Sequence, residues 1–313
     1  MKKNKLLKRL QSKLGLLVIF STLLLAGCGL PGLSATTEET IVVGGLDTTE
    51  GQILAGLIQE LIEHETDYQV DLLSNLGSAY VAHQAMLNGD ADITAARYTG
   101  TDWVAVLDYT PVNDPEHVMS VLQEEFHEQF GFKYYDSYGF ENSYAFMMSQ
   151  EKAAELGIEI VSDLAAYQTD LNAGFDINWL GREGDGYPGF IDTYQFSFDH
   201  TYPMQLGLVY DALAAGDMDL VLGYSTDGRI SSYDLFILED DLQFFPPYET
   251  TLVANEVLFE NYPDLDELLG RLSGKIDTET MQELNFRADH YLLNPNAVAK
   301  DFLEENNYFR EVD

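Results

Sequence analysis

The chain has 313 residues, enough for two domains of ordinary size, and carries 53 acidic against 16 basic residues, a formal net charge of −37. So acidic a surface repels phosphate backbones and anionic headgroups, which excludes nucleic-acid binding as a main function. The charge fits either adaptation of an exposed protein to a saline or alkaline medium or drift in an exported one and leans weakly toward a cationic or zwitterionic ligand, and the lone cysteine, Cys28, excludes an internal disulfide.

Taken in chain order, Lys2, Lys3, Lys5, Lys8, Arg9 and Lys13 form a basic n-region without an acid. Leu16 to Leu25 is an apolar run too short to span a membrane comfortably. The run Leu25-Ala26-Gly27-Cys28 resembles the lipobox of bacterial lipoproteins. That resemblance implies a signal peptide over 1–27, a lipid anchor on Cys28 and a tether over 28–40. It places the mature chain on the outer face of a bacterial cell membrane, more acidic still once the six basic residues are removed.

Ile41-Val42-Val43-Gly44-Gly45 reads as a buried strand. Gln52 to His64 follows as an amphipathic helix, with Thr48, Thr49 and Glu50 as start signals. Tyr68 to Leu73 is a second strand, Ser78 to Asn88 a helix stopped by Gly89, and Ala91 to Ala95 a third strand. This βαβαβ order predicts an α/β fold with a mostly parallel sheet. A weak internal repeat points the same way. Gly89-Asp90-Ala91-Asp92-Ile93 leads to Tyr98, and Gly216-Asp217-Met218-Asp219-Leu220 leads to Tyr224. Both runs read as a helix stop, an Asp-x-Asp turn, a short apolar strand and a polar loop with a tyrosine. Either this is how αβ units generally join, or the chain holds two similar lobes, each placing a tyrosine beyond a strand's carboxyl end, where open α/β sheets bind ligands.

Four tyrosines, Tyr98, Tyr144, Tyr224 and Tyr248, stand in loop-like stretches of small and polar residues. Rings gathered around one point attract a cation that offers no hydrogen-bond donors, the chemistry of quaternary ammonium recognition. Most tyrosines in such a chain pack in the core or on the surface, so their contexts carry the argument. The six histidines lack metal spacing, and the chain has neither a nucleophile elbow nor a P-loop. The usual enzyme constellations are therefore weak, no cofactor or metal is expected, and no pattern after residue 30 is long and apolar enough to span a membrane.

The runs Thr49-Glu50-Gly51-Gln52, Asn75-Leu76-Gly77-Ser78, Arg97-Tyr98-Thr99-Gly100-Thr101, Asp185-Gly186-Tyr187-Pro188-Gly189 and Tyr224-Ser225-Thr226-Asp227-Gly228-Arg229 resemble the glycine betaine/carnitine/choline-binding proteins of osmoprotectant ABC transporters. The resemblance runs from about residue 40 to the C-terminus. It implies a two-lobed periplasmic-binding-protein-like fold of type II, each lobe a central mixed sheet flanked by helices. Lobe 1 would comprise 41–143 with 247–313, lobe 2 would comprise 144–246, and the hinge would lie near Asn142–Tyr144 and Phe245–Tyr248. The family's cage tyrosines correspond to Tyr98, Tyr144, Tyr224 and Tyr248. Arg182 resembles the carboxylate-binding arginine, and Thr101 a threonine at the carboxylate end. A planar guanidinium and a hydroxyl suit a carboxylate tail. Gln52 and Asn142 are expected either to orient the ligand or to cap turns, and Ser78 either to donate to the tail or to cap its helix.

The implied function is capture of a quaternary ammonium solute by a monomer, for an ABC permease with separate ATPase subunits. A choline-selective site would place an acid near the ligand hydroxyl; Ser78-Ala79-Tyr80 offers none, which leans toward a carboxylated zwitterion. A choline or other cation receptor, an extracellular sensor domain and an enzyme acting on quaternary amines are the alternatives.

Overall fold

The computed structural model describes residues 40–182 and 184–309. The expected signal segment 1–27, Cys28 and nearly all of the tether lie outside the described residues. The first strands are β1 (Ile41–Leu46), β2 (Val70–Leu76), β3 (Ile93–Tyr98), β4 (Phe132–Tyr134) and β5 (Tyr144–Ser149). They are followed by β6 (Asn172–Asp176), β7 (His200–Met204), β8 (Leu220–Tyr224), β9 (Leu235–Ile237) and β10 (Thr250–Asn255). They make two five-stranded mixed sheets, ordered β2-β1-β3-β10-β4 and β7-β6-β8-β5-β9.

The orders are equivalent. In each sheet the three strands of one βαβαβ run are parallel and fill one side, and a strand from elsewhere in the chain enters antiparallel beside the third. The internal repeat in the sequence corresponds to β3 and β8, the third strand of each run. Gly89 (φ 76°) and Gly216 (φ 76°) take the left-handed conformation just after the preceding helices, where a side chain would strain the backbone. The chain leaves the first sheet between β4 and β5 and returns between β9 and β10.

Helix Thr49–Glu65 begins at Thr48, whose hydroxyl accepts from the Gly51 amide at 3.1 Å. Its Ile53, Leu54, Leu57, Ile58 and Leu61 are fully buried, in one core with Val298, Ala299 and Leu303 of helix Pro295–Glu305. Burial of each such side chain stabilises the fold by about 1.5–3 kcal/mol. The opposite face of the first sheet packs Met86, Trp103, Leu122 and Phe126. Along β5, Phe146 and Met148 enter one core while Ala145 and Met147 enter another, the period-two alternation of a sheet covered on both faces.

Strand bounds differ modestly from expectation. The third strand runs to Tyr98, so Tyr98 closes a strand where a loop was expected; Tyr144 likewise opens β5 and Tyr224 closes β8, while Tyr248 does lie in a loop. The apolar run that defines a strand core ends before the aromatic residue that finishes its hydrogen-bonded ladder. Among the described residues no helix is long and apolar enough to cross a membrane.

Candidate functional site

A cavity of about 370 Å³ opens at the carboxyl ends of β1 and β3 and against β5 and β8. Tyr98, Tyr144, Tyr224, Tyr248, Arg182, Thr101, Asn142 and Ser78 all line it. Strand register explains the tyrosines. Tyr144 and Tyr224 are directly opposed on antiparallel strands, and their rings stand 5.1 Å apart. Tyr98 is opposed to Thr250, two residues after Tyr248.

The backbone around each ring is held. Beyond Tyr98 the chain turns into helix Thr99–Ala105, and a buried pair sets that turn. Arg97 reaches Asp102 through Nη2 at 2.6 Å and Nε at 3.0 Å, with both side chains wholly excluded from solvent. Tyr134 donates to the same carboxylate at 3.0 Å. Gly100 is required by close approach: a Cβ there would lie 2.6 Å from the Pro247 carbonyl and 3.0 Å from the Tyr248 ring. Across the cavity, Tyr210 clasps Tyr224, its hydroxyl accepting from the Tyr224 amide at 2.6 Å and donating to the Tyr224 carbonyl at 3.1 Å.

Arg182 follows the short helix Ile177–Gly181, capped by Asp176 and anchored by buried Trp179, whose indole donates to the Asp185 carbonyl at 2.8 Å. The guanidinium donates to the Tyr144 hydroxyl at 2.8 Å and to Asp185 at 3.1 Å, with its carbon 5.2 Å from the centre of the Tyr144 ring. The Tyr144 face thus already attracts one cation.

Burial pushes the Tyr98 and Tyr224 hydroxyls well above their ordinary range, and Tyr248 up to about 12. The rings therefore stay neutral at physiological pH, with faces available to a positive charge.

The other expected residues divide. Ser78 caps helix Ala79–Asn88, accepting from the Val81 amide at 3.2 Å, and its hydroxyl proton remains available to the cavity it lines. Asn142 caps no turn; its amide donates to Glu50 at 2.9 Å. Gln52 is not brought to the site. It lines a different cavity with Gly45, Leu72 and Asn296, and its amide donates to the Asp47 carbonyl at 3.5 Å. Asp47 and Thr48 of the β1 turn line the tyrosine cavity and were missed by the sequence reading.

Glu50 was missed in another way, as a mere helix-start signal. It is 4% exposed, and its Oε1 accepts from Tyr98 at 2.9 Å and from Asn142 at 2.9 Å. Helix Thr278–Tyr291 was also unforeseen as a bridge to the second sheet. Gln282 donates to the Ser225 carbonyl at 2.7 Å and Asn285 to the Thr226 carbonyl at 2.8 Å, just beyond Tyr224.

The family described as the substrate-binding domain of ABC-type glycine betaine transport systems matches residues 39–305. The carnitine transport binding protein OpuCC of Listeria monocytogenes is 46% identical over 302 residues, 96% of this chain and 98% of its own. A glycine-betaine-binding protein of Pseudomonas aeruginosa is 31% identical over 92% of this chain and 95% of its own. A solved structure described as a glycine betaine/carnitine/choline ABC transporter superposes with a TM-score of 0.84 at 45% identity, covering 86% of this chain and 100% of that one. The fold is that of type II periplasmic binding proteins.

Proposed function

The chain belongs to the substrate-binding proteins of ABC-type glycine betaine transport systems, and from that premise we propose that it captures a quaternary ammonium solute in a cage of Tyr98, Tyr144, Tyr224 and Tyr248. The observation that carries this reading is the convergence of four tyrosines, two from each sheet region, on one cavity that also presents an arginine. A trimethylammonium head spreads its charge over C–H groups and has no donor to offer, so aromatic faces suit it. Each desolvated contact is worth about 2 kcal/mol at best, and micromolar affinity needs about 8 kcal/mol in all. Several rings together come within reach of that figure.

At the other end, Arg182 exchanges its bond to Tyr144 or Asp185 for a ligand carboxylate, with Thr101 and Ser78 supplying hydroxyl donors. Lobe 1 comprises 41–143 with 247–313, lobe 2 comprises 144–246, and the two crossings near Asn142–Tyr144 and Phe245–Tyr248 bend as the lobes close. The loaded protein, a monomer tethered to the outer face of the membrane through lipidated Cys28, hands its solute to an ABC permease served by separate ATPase subunits. Gln52 keeps no ligand-binding role in this reading.

Calorimetry of the purified mature chain against glycine betaine, carnitine, choline and glycine at fixed salt tests it. Binding of one of the three quaternary amines, with none of glycine, is the expected result. No binding of any quaternary amine would overturn the proposal. Mass spectrometry of the membrane-associated protein tests the anchor, and an unmodified Cys28 would remove it.

A further inference from the structure

We infer that Glu50 is a positioning residue for this site: its buried carboxylate, bound to the hydroxyl of Tyr98, supplies the negative charge that makes the cage prefer a cation over an uncharged group of the same shape. The inference rests on the tyrosine-cage reading.

Glu50 occupies the first turn of helix Thr49–Glu65, where a carboxylate is favoured by the helix dipole. That role needs no burial, and most first-turn acids stay in water. Here the side chain is withdrawn from solvent and pairs with no Lys, Arg or His among the described residues. The side chains acting on it are those of Thr226, Asn142, Tyr98 and Asn285, all uncharged. Burying a carboxylate without a cation is costly.

A glutamine would serve the fold better. Its oxygen would still accept from Tyr98 and Asn142. Its amide would replace Oε2, which has no donor within ordinary hydrogen-bond geometry although the Thr226 and Asn285 side chains act on the carboxylate, in a setting where Asn142 Oδ1 and Asn285 Oδ1 are themselves buried acceptors without partners. The acid therefore stands where folding favours an amide, and it meets the cavity wall through Asn142 and through a cage tyrosine, Tyr98.

That contact gives the charge its use. A negative acceptor on a phenol polarises the O–H bond and raises electron density in the ring, which strengthens its attraction for a cation. The charge also acts directly across the ring, through a medium that screens less than water. Both effects vanish for a ligand without positive charge.

Burial raises the Glu50 proton affinity, so cation binding weakens as the pH falls and the carboxyl takes up a proton. Of the groups that face it, Tyr98 is the titratable one, and burial together with Glu50 itself keeps that hydroxyl protonated.

The experiment compares dissociation constants for glycine betaine and 3,3-dimethylbutanoate, its isostere with carbon in place of nitrogen, in the mature chain. Wild type, Glu50→Gln and Tyr224→Ala are measured at one pH and salt, with thermal midpoints alongside. The expected result for Glu50→Gln is at least a tenfold loss for betaine and no more than a twofold loss for the isostere, with the thermal midpoint unchanged or raised. Where the isostere does not displace betaine, the betaine loss at an undiminished midpoint carries the reading. Unchanged betaine affinity, or equal losses for both ligands, would overturn the inference. Should Glu50→Gln fail to fold, Tyr98→Phe removes the hydroxyl link and keeps the ring; a selective betaine loss supports the inference and an unchanged betaine affinity overturns it. Failure of the cage itself is distinguishable, because Tyr224→Ala would then leave betaine binding intact.

Discussion

Replacing Arg97 with Met tests whether the turn that follows Tyr98 is held by its buried ion pair. Both side chains are wholly buried, with two short bonds to the Asp102 carboxylate. The substitution leaves Asp102 charged, buried and satisfied only by Tyr134. Removing one partner of such a pair costs about 3–5 kcal/mol, a large share of a total stability of roughly 5–15 kcal/mol. For a domain of this size that lowers the thermal midpoint by roughly 6–20 °C. An exposed pair gives the contrast: Lys300 and Glu60 meet at 3.3 Å with side chains 52% and 24% exposed, and Lys300→Met should cost about 0–1 kcal/mol. The cycle is closed with Asp102→Leu. That change strands the buried Tyr134 hydroxyl, at about 1–3 kcal/mol, so the double variant recovers the charge penalty but not this one. The assay is denaturant unfolding of the four species. A cost below about 1 kcal/mol for Arg97→Met, or a double variant as unstable as the sum of the singles, would show that the pair does not hold the turn.

Tyr224→Ala should weaken betaine and choline alike by about 1–3 kcal/mol, and Tyr224→Phe by much less, since the π face survives; calorimetry reads both, and an unaltered Ala variant would remove Tyr224 from the site. Arg182→Ala should cost betaine about 2–5 kcal/mol but spare betaine amide, whose tail is neutral; equal losses would mean that Arg182 acts through Tyr144 and the fold instead. Acid should destabilise the protein through His83, which is buried among Phe126, Phe130 and Phe132 and has its pKa lowered to about 4 by desolvation and by Arg97. An unfolded histidine takes up its proton near pH 6.5 and the folded one near 4, so stability from this residue is complete above about 6.5 and lost as the pH falls toward 4. Thermal melts across that window should show a shallower decline for His83→Phe, and identical slopes would refute the assignment.

Much of the first sheet was legible because its signals are local. Thr48, Gly89 and the apolar spacing of helix Thr49–Glu65 each act within a few residues. The repeat that ends in Tyr98 and Tyr224 was legible as well, since equivalent strands share equivalent turns. The fate of Gln52 was not. Residues two apart on a helix point about 200° away from one another, so with Glu50 turned toward Tyr98, Gln52 is turned away from it. Sequence alone gave no reason to prefer the acid. Its burial depends on Asn142, Thr226 and Asn285, which are 92, 176 and 235 positions away. The link between helix Thr278–Tyr291 and the Ser225–Thr226 turn escaped for the same reason: neither Gln282 nor Asn285 has a distinguishing neighbour in sequence.

The register also divides the proposed cage into two halves, each held by its own contacts. Tyr144 and Tyr224 are fixed to each other across a β ladder, and Arg182 and Phe245 attach to that pair. Tyr98 and Tyr248 are fixed to each other through the β3–β10 ladder and the Gly100 contact, with Glu50 behind them. Relative motion of the sheets therefore leaves distances within each half unchanged and alters those between halves. A head group touching one half gains contact energy that is the same in every arrangement, and such energy cannot bias closure. Only contacts that a ligand makes with both halves at once favour the closed form. On the proposed reading the cation would be divided between the halves, whereas the carboxylate end would draw on Arg182 from one half and on Thr101 and Ser78 from the other. A ligand that carries both groups spans the cleft twice. Betaine should then drive closure further than choline at equal occupancy, readable as a smaller radius of gyration in small-angle scattering, and equal compaction by the two would show that the ring halves alone set the closed state.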